Sequence, residues 1–124
     1  MDETTAPLFR QIADLVEDAV VDGSLAEGDR VPSTNELASF HSINPATARK
    51  GLQLLVDRGI LAKRRGLGMF VEPGARDRVL HRRREAFATD YLTPLIDEAR
   101  SLGLTRADLH DLVERTAESR GLEP

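Results

Sequence analysis

The sequence predicts a mainly α fold with one small β-hairpin: three short helices and the hairpin, then a two-helix tail. Three observations carry this. Apolar residues recur at helical spacing in separate stretches, each bounded by capping residues or glycine. The run "ILAKRRGLGMFV" places a Gly-x-Gly turn between two apolar segments, the pattern of a hairpin with a basic tip. Beyond Pro73-Gly74 the helical pattern continues with no turn signal until Leu102-Gly103.

Taken in order, Leu8, Ile12, Leu15, Val16 and Ala19 fall on one helical stripe, predicting a first helix from Pro7 to about Asp22, closed by Gly23. A turn-rich connection follows, with room for a short extended piece near Arg30-Val31. Ser33 and Glu36 then form the S-x-x-E capping box that starts a second helix, with Leu37, Ala38 and Phe40 as its buried side. After the tight break His41–Ile43, Asn44 is a good N-cap, and Pro45 suits the first helical position because its missing N–H is not needed there. In this third helix Ala48, Leu52, Leu55 and Val56 face inward. Ala46, Arg49, Lys50, Gln53 and Asp57 face mainly outward, and Thr47 sits at the exposed first turn. Gly59 ends it. Three helices and a hairpin, with a short break between the second and third helices, describe a winged helix-turn-helix over residues 7–73.

Residues 74–124 read as a helical tail. Phe87, Ala88, Tyr91, Leu92, Leu95, Ile96 and Ala99 repeat at three and four, and Pro94 within this run predicts a kink or a local loss of hydrogen bonding. Thr105 with Asp108 caps a last helix whose apolar stripe is Leu109, Leu112 and Val113. The stripe from Phe87 to Ala99 is too wide for one short helix to cover. Phe87, Tyr91 and Leu95 lie along one edge, and Ala88, Leu92 and Ile96 along the other. An uncovered edge is an apolar patch of the kind proteins bury in a partner, here a second copy of the chain. Its candidate interface residues are Phe87, Tyr91, Leu92, Leu95, Ile96, Leu109 and Leu112.

A length of 124 residues fits one domain, or a small domain with an appendage. With 40% apolar and 31% charged residues the composition is that of a soluble globular protein. The absence of cysteine excludes a disulfide framework and thiol chemistry, and suits a reducing cytoplasm. The acidic start "MDETTAPLF" does not read as a secretory signal, and no apolar stretch approaches the roughly 18 residues of a membrane span. The net charge of −4 conceals a segregation. Residues 41–84 carry 11 Lys+Arg against 3 Asp+Glu; residues 1–40 carry 2 against 9, and residues 85–124 carry 4 against 9. A basic middle between acidic flanks is a field pattern suited to an anionic partner. Enzymatic chemistry has little support. His41, His81 and His110 lack ligand spacing, "RRGLGMF" lacks the helix that phosphate cradling needs, and no nucleophile motif occurs. No cofactor or metal is expected.

The segments "GDRVPSTNELA", "NPATARKGLQLLVDRGIL" and "RRGLGMFV", in this order, resemble the GntR family of bacterial transcription regulators. The tail around "YLTPLIDEARSLGLT" is similar to that of its YtrA-type subfamily, and the likeness spans roughly residues 7–118. The resemblance implies a dimeric winged-helix protein, usually a repressor, that binds double-stranded DNA and dimerises through its tail. It also implies where DNA is met. In the family's P-S-x-R-E-L-A segment, Ser33 is kept, but Asn35 stands where an arginine would touch phosphate. The N-P-x-T start is kept as Asn44, Pro45, Ala46 and Thr47, and Arg49 occupies the position of a DNA-contacting arginine. The wing is kept at Arg65, Gly66, Leu67 and Gly68.

The chemistry of these positions agrees. Recognition helices enter the major groove N-terminus first, and the small residues Pro45 and Ala46 permit close approach. Thr47 offers a hydroxyl to bases or phosphate and a methyl to thymine. Arg49 carries a fork suited to phosphate or guanine, with Lys50 beside it. In the wing, Gly66 and Gly68 can take positive φ. Of Lys63, Arg64 and Arg65, strand alternation lets one or two reach DNA. Phe70 reads as core. Arg82-Arg83-Arg84 extends the DNA footprint, pairs with acidic residues of a partner subunit, or is solvated, the last two being favoured. An effector, if one exists, belongs at the dimer interface or between tail and DNA-binding domain. The alternative from another class is a ligand-sensing or protein-docking winged-helix module that does not read DNA; the basic third helix and wing weigh against it.

Overall fold

The computed structural model describes residues 6–124, so the first part of the acidic start, residues 1–5, lies outside the described residues. The chain forms two compact units that divide between Arg83 and Arg84. The first contains helix α1 (Leu8–Asp22), α2 (Thr34–His41), α3 (Pro45–Asp57), strands β1 (Leu61–Arg64) and β2 (Gly68–Val71), and most of α4 (Ala75–Phe87). The second contains the end of α4, a π-helical segment Ala88–Leu92, α5 (Thr93–Ser101) and α6 (Arg106–Arg120).

In the first unit, α1 and α3 cross where Gly51 lies against α1. A Cβ at Gly51 would stand 2.7 Å from the Phe9 carbonyl oxygen and 3.0 Å from Ile12 Cγ2, so glycine is what permits the approach. This crossing sets Ile12, Ala13, Val16 and Val20 against Ala48, Leu52 and Leu55, with Leu37 and Ala38 of α2 in the same core. Ile60, Leu61 and Val71 extend the core into the wing. The strands pair antiparallel, Leu61 opposite Val71 and Arg64 opposite Gly68. The extended piece expected near Arg30-Val31 is present: Arg30 bridges to Phe70, and the Val31 N–H donates to the Met69 carbonyl at 2.9 Å.

The caps follow from local chemistry. Ser33 Oγ accepts from Glu36 N–H while the Glu36 carboxylate accepts from Ser33 N–H; Thr105 and Asp108 do the same at α6. These bonds, from the Ser33 and Thr105 backbones first, hold the Glu36 and Asp108 carboxyls below their ordinary values. Gly23 closes α1 with a φ of 88°.

Several expectations are corrected. Leu8 and Leu15 are exposed, and Ala13 and Val20 occupy the buried stripe in their place, because the crossing with α3 decides which side of α1 faces inward. Phe40 is 83% exposed, its ring edge-on to His41. Beyond these, Ala75 and Val79 are fully buried in the first core, so the start of α4 packs with the winged unit.

Pro94 does disturb its helix. The Thr93 N–H donates to the Ala88 carbonyl, five residues back, and Pro94 has no N–H to continue the ladder. In this second unit the preceding apolar stripe keeps much of its surface open. Phe87, Tyr91, Leu92, Leu95 and Ile96 are all exposed, and Ala99 alone of the stripe is buried. An open apolar groove between α5 and α6 is lined by Leu95, Ala99, Leu109, Leu112 and Val113, among others.

Gly51→Ala is expected to lower stability by about 1–3 kcal/mol, the range for overpacking a tight core, since the clash is with backbone. Urea unfolding of the variant beside wild type checks this.

Candidate nucleic-acid interface

The turn between α2 and α3 is short because Ser42 takes a left-handed conformation, φ 55°, which is uncommon outside glycine. The Ile43 N–H donates to the Ala38 carbonyl at 3.0 Å, and the Ile43 side chain packs on the core. Asn44 Oδ1 then accepts from the Ala46 N–H at 2.8 Å, fixing the first turn of α3. Asn44, Pro45, Ala46 and Arg49 are exposed, and Thr47 is half-buried. Ala48, Leu52 and Leu55 are spent on the core, which leaves Arg49 and Gln53 on the outer face.

That face opens into a concavity whose other walls are the start of α2 and the wing. Its lining includes Arg30, Ser33, Thr34, Asn35, Arg49, Gln53, Lys63, Arg64, Gly66 and Gly68, and it contains no carboxylate. Four cations, two hydroxyls and two side-chain amides therefore surround one hollow. The Ser33 hydroxyl accepts the Glu36 N–H, and its own hydrogen remains available to donate. Charged forks, hydroxyls and amides are the groups that bind phosphate oxygens and base edges.

The remaining candidates are placed differently. Lys50 Nζ lies 4.2 Å from the centre of the Phe9 ring, a cation–π interaction with α1. Arg64 rests its guanidinium 4.5 Å from the Phe70 ring centre, so half-buried Phe70 carries a cation as well as closing the wing. Arg65 and Gly66 are exposed at the turn, where the Leu67 N–H donates to the Arg64 carbonyl at 2.9 Å. Gly66 and Gly68 have φ of 76° and 115°, as their place in the turn requires. Arg82 and Arg83 meet acidic residues of their own chain, Glu17 and Asp18, in place of the partner-subunit or solvated roles favoured from sequence.

Sequence reasoning missed Arg30. Its Nε would stand 2.9 Å from a Cβ at Gly68, so it lies directly over the wing turn. The signal was a cation within the short extended piece beside the hairpin. Among the described residues no group of His, Asp and Glu is arranged to hold a metal ion, and no helix is long and apolar enough to cross a membrane.

Three helices, a wing and a cation-lined hollow at the start of the third helix define a helix-turn-helix DNA-binding protein. Residues 8–71 match the family "Bacterial regulatory proteins, gntR family", and the chain belongs to the GntR family of transcription regulators. It is similar to the HTH-type transcriptional repressor YtrA of Bacillus subtilis, 27% identical over 119 residues covering 95% of this chain and 91% of that protein. A GntR-family transcriptional regulator from Bacteroides thetaiotaomicron shares the fold, with a TM-score of 0.75, 24% identity, and coverage of 92% of this chain and 99% of that one. The DNA-binding domain of AraR, solved in complex with its operator ORR3, superposes with a TM-score of 0.53 at 27% identity, over 57% of this chain and 86% of that one.

Proposed function

We propose that this transcription regulator is a homodimeric repressor that reads a palindromic operator in the bacterial cytoplasm, and joins the nucleoid when bound. The observation that carries the DNA surface is the carboxylate-free hollow into which Arg49, Arg30 and the wing cations open. The α3 N-terminus enters the major groove, presenting Asn44 to Thr47 and Arg49. Ser33, Asn35 and Arg30 hold one backbone, and Lys63, Arg64 and the turn at Arg65, Gly66 and Gly68 hold another. Lys50 contributes less than its neighbour, because its ammonium is directed to Phe9. The Bacillus relative, itself a repressor, supports the repressor reading.

The dimer reading rests on the second unit. Phe87, Tyr91, Leu92, Leu95, Ile96 and Leu112 leave a run of large apolar side chains exposed, a surface suited to burial against a second copy. Leu109 is half-buried within its own unit and lines a groove together with Leu95 and Leu112. A two-fold pair places two recognition helices about one DNA turn apart, which a palindrome matches.

Selection of bound genomic fragments supplies the operator and tests the reading; a protein that retains no duplex DNA at low salt is not a DNA reader. Arg49→Ala should reduce operator affinity by about 1–3 kcal/mol. Lys50→Ala and Arg100→Ala should each change it far less, and titration of labelled operator compares the three. Replacing Lys63, Arg64 and Arg65 together should weaken operator and random DNA alike. The slope of log affinity against log salt should become shallower by roughly 0.9 for each phosphate no longer neutralised. Full-length protein should sediment as a dimer at micromolar concentration, and Leu95→Glu with Ile96→Glu should make it a monomer that binds the palindrome weakly.

A further inference from the structure

Glu17 interrupts an apolar stripe. Its neighbours on the inner face of α1 are Ile12, Ala13, Val16 and Val20, yet its own side chain is fully buried. A lone carboxylate there would be strongly unfavourable, so its partners define its role. Arg58, the C-cap of α3, donates to Glu17 Oε2 at 3.3 Å. Arg82 and Arg83 of α4 both reach Oε1, Arg83 at 3.5 Å, and Arg83 also donates to Asp18 at 2.8 Å. One carboxylate thus ties α1 to the end of α3 and to the last part of α4 within the winged unit. The cluster is electrostatically tight. Burial opposes the charge on Arg83, but its bond to Asp18 and the charges of Asp18 and Glu17 outweigh that and raise its pKa. Asp14, one turn earlier, is raised by burial and by the Glu17 charge.

The rest of α4's seating lies toward its beginning. Ala75 and Val79 supply apolar packing, which tolerates small rotations. Arg76 donates to the Val21 carbonyl and Arg78 to those of Gly59 and Pro73, all in the first turns. Arg82 and Arg83 continue the face of Ala75 and Val79, seven and eight residues after Ala75. Their ion pairs with Glu17 and Asp18 hold the later turns of α4 against α1. α4 is also the covalent route out of the winged unit, since it runs on to Phe87.

We infer that Glu17 is a positioning residue for operator recognition: by seating α4 through Arg82 and Arg83, it makes the dimer selective for one spacing between half-sites. The inference rests on the dimeric, operator-reading function proposed above. In a dimer joined through the tails, α4 is the covalent link by which each winged unit is tethered. A loosely seated α4 spreads the two heads over a range of separations, which lowers the effective concentration at the native spacing and raises it at others.

The test uses full-length protein and four duplexes: the selected palindrome, the same palindrome with its spacer lengthened or shortened by one base pair, and a single half-site. Wild type should prefer the native spacing. Glu17→Gln, and separately Arg82→Ala with Arg83→Ala, should bind the single half-site as wild type does and remain dimeric on sedimentation. Each should lose roughly tenfold on the native palindrome, a part of the hundredfold or greater gain that bivalency can provide. The penalty for altered spacers should flatten. Arg82→Lys with Arg83→Lys, which keeps the charges, should restore part of the preference. If Glu17→Gln fails to fold, the double arginine variant, which leaves Glu17 with Arg58, decides. A wild-type spacing profile in that variant overturns the inference, as does a parallel loss on half-site and palindrome. A wild type that is monomeric, or indifferent to the second half-site, instead overturns the dimer reading on which it stands.

Discussion

The close crossing of α1 and α3 at Gly51 is the constraint on which the remaining architecture depends. Because a side chain at Gly51 would meet the Phe9 carbonyl, the two helices come this close only where glycine stands. Once they do, Ala48, Leu52 and Leu55 must face α1. The helical period then turns Arg49 and Gln53 outward with no further instruction. The wing is fixed from the same core through Ile60, Leu61 and Val71, so Lys63 and Arg64 arrive beside Arg49 as a consequence of apolar packing. The chemistry of the hollow is thus set largely by the apolar packing behind it.

The basic middle of the chain serves two purposes that a charge count merges. Arg58, Arg82 and Arg83 are engaged with Glu17 or Asp18, Arg76 and Arg78 with backbone carbonyls, and Lys50 with an aromatic ring. These cations hold the winged unit together. Those that line the hollow are fewer, and one of them, Arg30, comes from the acidic N-terminal part. The cations that make up the positive field and the cations that line the hollow are overlapping but different sets of side chains.

What was legible in the sequence was local. Ser33 with Glu36, Asn44 with Pro45, and Thr105 with Asp108 act within three residues of themselves, so their spacing suffices. The same holds for the glycines of the wing and for the break before Pro94. What depends on a partner far along the chain was not legible. Leu15 and Phe40 lie on apolar stripes, but only the angle of a neighbouring helix decides that they stay outside. The apolar part of α4's docking is just two residues, Ala75 and Val79, in a strongly charged helix, too weak a pattern to be read from the sequence. Arg30 and Glu17 gain their roles from neighbours across the fold, Gly68 for one and Arg82 with Arg83 for the other.

The π-helical segment before Pro94 changes how the tail should be aligned with its relatives. A single π turn accommodates one residue more than an α-turn, so Ala88–Leu92 behaves as a one-residue insertion absorbed inside a helix. Residues after it are offset by about 100° from the phase that an unbroken α-helix would give them. Phe87, Tyr91 and Leu95 therefore do not form the straight edge that their spacing of four implies. A homologous tail one residue shorter here, with an ordinary α-turn in its place, would present the same apolar surface. Gap placement between residues 88 and 92 is thus a structural question, to be settled by helix phase before sequence identity.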